Sequence, residues 1–199
     1  MAKVVALMSM SLDGYVADAN DGVDEVFDWY TSGEVEVSTP SPDFIFHVSA
    51  PSADHLNGLM TEIGAMLTGR RTFEVAEGWG GQHPWHVPAF IVTHQVPEGW
   101  PRPGSTIQFV TDGIESAVAQ AKEAAGSKSV GVHGAQTIQQ CLDAGLLDEI
   151  HIDLAALLLG SGVRLFDHLA KTPIVLGNPR VVASVGVTHL RYPVHASSA

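Results

Sequence analysis

The chain has 199 residues and a formal charge of −12, from 10 lysines and arginines against 22 acidic residues, with 45% hydrophobic content. That length and apolar content fit one globular domain with a sizeable core. The acidic balance argues against nucleic acid or an anionic membrane surface as partner, since both need a basic face. One cysteine, Cys141, excludes an internal disulfide.

Along the chain, apolar runs alternate with helical periodicity. Lys3 to Ser9 reads as a buried first strand, followed by a turn-bearing loop from Ser11 to Ala17. Residues 18–51 form a long excursion rich in Asp, Gly, Ser and Pro, of the kind that serves as a lid or a substrate wall. Leu56, Leu59, Met60 and Ile63 recur at i, i+3, i+4 and i+7, which predicts an amphipathic helix from Ser52. Ala65-Met66-Leu67 is a short strand into Gly69. Ala89–Thr93 and Thr106–Val110 are strands, and Asp112 with Glu115 reads as a capping arrangement for the helix carrying Ile114, Val118 and Ala121. Ser129–Val132 is a strand, Gly134 opens a helix to about Asp143, and Gly145 stops it. Ile150–Leu158 reads as a strand, and Arg180–Val187 with Thr188–Val194 as a closing hairpin through Gly186. The alternation predicts an α/β domain with a largely parallel sheet and antiparallel C-terminal strands. It spans residues 1–195, with 196–199 a short tail. The N-terminus enters the strand pattern by Val4 without a signal peptide's charged start and apolar middle, so the expected location is the cytoplasm.

Three strand exits carry the chemistry. At Gly69-Arg70-Arg71-Thr72 a glycine allows close backbone approach, a helix start offers free N–H groups, and two arginines supply forked donors for phosphate. A solvated helix start with two surface arginines is the alternative. Thr93-His94 follows the next strand with groups able to hydrogen-bond a phosphate or ribose. Gly131-Val132-His133-Gly134-Ala135-Gln136 joins strand to helix across small residues, a place for a pyrophosphate. It does not match the Gly-x-Gly-x-x-Gly fingerprint, so a standard dinucleotide fold fits poorly. Ligands in open α/β sheets lie at the carboxyl ends of strands, and all three exits are such ends. His83-Pro-Trp-His86 has no accompanying cysteine or carboxylate cluster, so no metal is expected there. Cys141 falls among Ile138, Leu142 and Leu146 as a buried apolar residue.

The order Met8-Ser9-Met10-Ser11-Leu12-Asp13-Gly14, Gly69-Arg70-Arg71-Thr72-Phe73-Glu74, Val92-Thr93-His94, Gly131-x-x-Gly134-Ala135 and Leu157-Leu158-Leu159-Gly160-Ser161-Gly162-x-Arg164-Leu165-Phe166 resembles the dihydrofolate reductase superfamily. It is most similar to the branch that includes the C-terminal reductase domain of the bifunctional riboflavin biosynthesis protein, over about residues 2–193. The resemblance implies a three-layer α-β-α fold around a mixed, mostly parallel sheet, with NADPH along the strand ends. It implies a small heterocyclic substrate, pterin-like or aminopyrimidine-like, and a homodimer. Ala6, Ser11 and Gly14 would border the nicotinamide. Gly69, Arg70, Arg71 and Thr72 would hold phosphates, Thr93 and His94 would lie by the adenosine 2′-phosphate, and Gly131, Gly134, Ala135 and Gln136 would meet the pyrophosphate.

Two departures bear on the substrate. The riboflavin-pathway reductases carry a lysine where this chain has Leu7, and a glutamate before a Gly-Gly pair where it reads Val132-His133-Gly134. Both help bind a phosphoribosyl pyrimidine in the resemblance, so a non-catalytic, ligand-binding relative stays open beside the reductase. Asp13 is the candidate proton source, or else a turn residue before Gly14. Asp54, fifteen residues before Gly69, is a second candidate carboxylate, or else a solvated acid at a helix start. Trp29 and Tyr30, with Phe27, would stack on a flat heterocycle or form the excursion's own small core.

Overall fold

The computed structural model describes residues 2–195; the tail expected at 196–199 lies outside the described residues. In chain order the elements begin with β1 (Val4–Ser11), β2 (Tyr15–Ala17), α1 (Asp24–Phe27), a 3-10 turn (Asp28–Thr31), β3 (Val35–Ser38) and β4 (Ile45–Val48). The middle of the chain gives α2 (Ala50–Glu62), β5 (Ile63–Gly69), α3 (Arg70–Val75), a 3-10 segment (Glu77–Gly81), β6 (Ala89–Val92) and β7 (Ile107–Val110). There follow α4 (Ile114–Ala125), β8 (Ser129–Val132), α5 (Ala135–Asp143), β9 (Glu149–Ala155), β10 (Val163–Arg164), β11 (Arg180–Ala183) and β12 (Val187–Pro193).

Eight strands form one sheet in the order β11-β12-β9-β1-β8-β5-β6-β7. Every pair from β9 to β7 is parallel, and β12 and β11 add antiparallel at one edge. Strand alternation divides the core. Val4, Ala6, Leu67, Phe90 and Val132 pack against α4 and α5, whereas Val5, Leu7, Met66 and Ile91 join Leu59 of α2 on the other face. The layers are therefore helix, sheet, helix, as expected.

Three local readings are corrected, and the excursion gains detail. Ile63 does not end the helix but starts β5, with extended φ −84° and ψ 129°. Gly64 makes the abrupt change feasible, because a Cβ there would lie 2.8 Å from the Ala125 carbonyl oxygen at the end of α4. Asp112 does not cap α4. Gly113 holds the N-cap position at φ +106°, and no side chain bonds the first turn. β9 stops at Ala155 rather than Leu158, because its neighbour β12 ends its pairing there, at Val187 beside the Gly186 turn. The 18–51 excursion is ordered: β3 and β4 form a hairpin, and Trp29, Val37, Phe46 and Val48 pack with Ala53 and Leu56 into a third apolar cluster.

Candidate active-site cleft

Strands β8, β5 and β6 are adjacent and parallel, so their carboxyl ends open side by side. The three exits singled out in the sequence thereby meet in one cleft of about 830 Å³. Gly69, Arg70, Arg71, Thr72, Thr93, His94, Gly134, Ala135 and Gln136 all line it. Gly134 is the N-cap of α5 at φ +84°, and its missing side chain leaves bare backbone beside the Thr72 and Thr68 hydroxyls. The N-terminal turn of α5 thus offers unpaired N–H groups to the cleft. Arg70 Nε donates to Glu74 at 2.6 Å and its Nη1 to the Gln95 carbonyl at 3.1 Å; Arg71 pairs with Asp21. Such partly exposed pairs are weak, so the guanidiniums can exchange them for a stronger anion at little cost.

Several expected site residues sit elsewhere. Ala6 is fully buried against the α4–α5 face, in register with Val132. Gly131 lies in mid-sheet, where a Cβ would come within 2.8 Å of Leu7 Cδ1 and Met66 Sδ. Neither lines the cleft, because each points into a packed layer. Ser11 is buried; its hydroxyl donates to Asp13 at 2.6 Å and accepts from the Tyr15 N–H at 2.9 Å, closing the turn that Gly14 makes at φ +93°. Asp13 itself accepts from the backbone N–H groups of Leu159 at 3.1 Å and Gly160 at 2.7 Å. These bonds hold its carboxyl below the usual carboxylate range, with the Ser11 hydroxyl the largest contributor. Asp13, Ser11 and Gly14 therefore knit the Ser11–Ala17 loop to the Leu157–Gly162 turn, outside the cleft. Asp54 projects to solvent from α2, opposite the buried stripe of Leu56 and Leu59. Trp29 is only 2% exposed, donating from Nε1 to Ser9 Oγ at 3.1 Å, so it belongs to the core. Tyr30 does line the cleft, tilted on Phe46 at 4.4 Å and stacked on Phe27 at 5.2 Å.

Two carboxylates do line the cleft: Asp21, paired with Arg71, and the more buried Asp153. Asp153 sits on β9 between Ile152 and Leu154, whose side chains face the opposite layer. In direct cross-strand register lies His189 of β12, and above both lies His55 of α2, one turn after Ser52. His189 Nδ1 donates to Asp153 Oδ1 at 2.7 Å. His55 Nε2 approaches the same oxygen at 3.0 Å, off the line of a hydrogen bond, and is otherwise unpartnered. The two rings stack 4.0 Å apart. Ser52 Oγ holds His189 Nε2 at 2.8 Å and continues through Ser184 to Ser49. Burial works to raise the Asp153 carboxyl, but the two histidines outweigh it and hold it at about 2. The three donor atoms lie within 4.8 Å of one another, a spacing that one cation could also share. Sequence reasoning passed over this cluster, although its signal was present: a lone acid inside the apolar run Ile150–Leu154.

Two further histidines line the cleft, His83 and His133. Burial pushes His83 down to about 3, aided by His133, and burial pushes His133 down to about 4. The Trp85 N–H donates to His83 Nδ1 at 3.2 Å, which needs that nitrogen unprotonated. A folded-state pKa below the unfolded value of about 6.5 favours the fold above that pH, and the contribution is lost as pH falls toward 4 and then 3. We expect the urea midpoint to drop steeply between pH 6.5 and 4, and His83→Gln with His133→Gln to flatten that slope. A midpoint constant over this window contradicts the burial of neutral imidazoles.

A protein from Shewanella sp. PV-4 assigned to riboflavin biosynthesis matches with TM-score 0.69 and 25% identity, over 98% of this chain and 99% of its own. The Thermotoga maritima diaminohydroxyphosphoribosylaminopyrimidine deaminase/5-amino-6-(5-phosphoribosylamino)uracil reductase matches with TM-score 0.61 and 12% identity, over 98% of this chain but 57% of that one. A pyrimidine reductase-like protein from Corynebacterium diphtheriae gives TM-score 0.58 and 13% identity, over 98% and 92% of the two chains. No curated protein matches the sequence. The fold is that of dihydrofolate reductase-like proteins. The family model described as the RibD C-terminal domain matches residues 2–191, and the chain belongs to that family.

Proposed function

We propose that the chain is an NADPH-dependent reductase of a small heterocycle. The observation that carries this reading is the convergence of three parallel strand exits on one cleft, with Gly69 and Gly134 baring backbone beside two arginines and the start of α5. Those features fit an extended dinucleotide: α5 N–H groups for the pyrophosphate, and Arg70, Arg71, Thr93 and His94 for a further phosphate. Family membership and the reductase named in the Thermotoga protein support the same chemistry. The coenzyme supplies a hydride when bound. The chain's own residues orient it and line the second half of the cleft with Leu7, Phe27, Tyr30, Phe46 and Asp153. Asp13 is assigned to the loop that borders this half, as a clamp and not as a proton source, because its acceptor sites are filled by backbone N–H groups. A homodimer in the cytoplasm is the accompanying expectation; among the described residues no helix is long and apolar enough to cross a membrane.

Titration of the intact protein with NADPH, read by coenzyme fluorescence, tests the reading. Arg70→Ala combined with Arg71→Ala should weaken NADPH by about tenfold or more, from the lost charge-assisted bonds, and NADH much less. Equal losses for both coenzymes would remove the arginines from the 2′-phosphate. Leu7 in place of the family's lysine, and Val132-His133-Gly134 in place of its glutamate and Gly-Gly pair, favour one rival, a non-catalytic relative that binds NADPH or a planar ligand without turnover. Coenzyme oxidation with any phosphate-free heterocycle decides against that rival.

A further inference from the structure

Behind the aromatic wall of the cleft lies a buried nitrogen without a partner. His55 Nε2 makes no hydrogen bond, although its side chain is only 6% exposed and it stands 3.0 Å from Asp153 Oδ1. A buried polar atom left unpaired is costly, and a bound ion is one way to satisfy it. Direction separates a hydrogen bond from a ligand set. A hydrogen bond aims the nitrogen along the line to the oxygen. Ligands of one ion aim at a third point, so each points off the line to its neighbour. His55 has the second arrangement: close to the oxygen, yet off that line. Bonds of about 2.0–2.2 Å to a shared ion put neighbouring nitrogen and oxygen atoms roughly 2.9–3.4 Å apart. His55 Nε2 at 3.0 Å and His189 Nδ1 at 2.7 Å from Asp153 Oδ1 are within a small adjustment of that spacing.

We infer that His55 Nε2, Asp153 and His189 Nδ1 bind one divalent transition-metal ion. Two imidazoles with one carboxylate suit zinc, iron, cobalt or nickel, whereas magnesium and calcium take oxygen ligands. Coordination changes the tautomer of His189. Nδ1 loses the proton it donates to Asp153, and Nε2 gains one and donates it to Ser52 Oγ, which already lies 2.8 Å away. Ser52, Ser184 and Ser49 form a continuous chain of hydroxyls behind that nitrogen. Each hydroxyl can donate or accept, so the chain reverses to suit either tautomer. A partner of this kind fixes the orientation of a ligating histidine. The two rings stack 4.0 Å apart with 20° between their planes, so His55 turns about its side-chain bonds to bring both lone pairs onto the ion. Asp153 lines the cleft, and its 13% exposure gives the ion a way in. Water from the cleft completes the coordination shell. The ion ties α2, β9 and β12 together behind Trp29, whose edge meets His189. The inference uses these residues alone and does not depend on the coenzyme.

The test uses the whole chain, stripped with a chelator and dialysed, with Co²⁺ as the probe. Visible ligand-field bands should grow and saturate at one ion per chain. Zn²⁺ should displace Co²⁺ and raise the melting temperature, because it binds the folded chain. A large excess of Mg²⁺ should do neither. His55→Gln should abolish the bands, and Ser52→Ala should weaken Co²⁺ about tenfold through the lost support of His189. His47→Gln, on the exposed side of β4, should change nothing. Should the His55 variant fail to fold, imidazole ¹⁵N shifts of the wild type decide: Zn²⁺ should move His55 Nε2 and His189 Nδ1 and leave His83 and His133 in place. The absence of bands overturns the proposal and leaves the nitrogen to a water. Bands that survive His55→Gln, displacement by Mg²⁺, or Zn²⁺ shifts at His83 and His133 instead also overturn it. Each of these results leaves the coenzyme titration untouched, so this inference and the reductase reading fail separately.

Discussion

Gly134→Val should remove measurable NADPH binding, a loss of at least about a hundredfold, and lower stability by about 1–3 kcal/mol. Two independent effects act at this residue. Its φ of +84° lies where a β-branched side chain is a steric outlier. A Cβ would also stand 2.6 Å from Thr72 Oγ1, so the side chain must push against α3 or project into the cleft at the N-terminus of α5. Strain alone cannot explain lost binding, and Gly145 separates the two. Gly145 has a similar φ of +68° after α5, with nothing within 4 Å of a built Cβ, and it is outside the cleft. Gly145→Ala should cost about 1 kcal/mol and leave the coenzyme affinity intact. If Gly134→Val binds NADPH like the wild type, the pyrophosphate does not sit at α5 and the cofactor assignment must move.

The contrast between these glycines shows what the sequence carried. Strand exits were legible because local chemistry marks them: an apolar run, then glycine, then polar helix-starting residues. Their convergence follows from β8, β5 and β6 being neighbours, which α/β alternation makes probable but only long-range pairing decides. Residues read from motif position alone fared less well. Ala6 and Gly131 are in the right strands, but the pleat turns them into packed layers, and a one-residue change of register reverses that direction. Asp13 looked reactive because it sits in the loop expected at the nicotinamide end; its backbone partners at Leu159 and Gly160 are more than 140 residues away and invisible locally. The Asp153 cluster was hidden for the same reason. His55, Asp153 and His189 share no motif and come together through β9–β12 register and the seating of α2 on the sheet. Asp54, one residue from His55, marks the limit of motif spacing, while helical arithmetic holds: neighbours on a helix point about 100° apart, and the burial here belongs to the histidine.

The sequence leaves Trp29 and Tyr30 either as a stack for a flat ligand or as a small core, and the structure gives one role to each. Trp29→Ala should cost about 3–5 kcal/mol, the range for deleting a large buried aromatic side chain. Its ring meets Tyr30 at 4.3 Å and the edge of His189 at 5.2 Å, and its Nε1 is bonded to Ser9. Its loss therefore opens a void behind both the aromatic wall and the Asp153 cluster, and ligand binding should fail through unfolding or disorder of that wall. Tyr30→Phe keeps the stacking on Phe27 and Phe46 and removes one hydroxyl from the cleft. It should leave the melting temperature within a few degrees, as expected for a change of about 0.5 kcal/mol or less, while altering affinity for a flat heterocycle. Thermal melts and ligand titration on the two variants separate scaffold from contact. A stable Trp29→Ala protein with selectively lost ligand affinity would return Trp29 to the binding surface. A Tyr30→Phe protein with unchanged affinity would take the phenol out of ligand recognition and leave the ring as a wall alone.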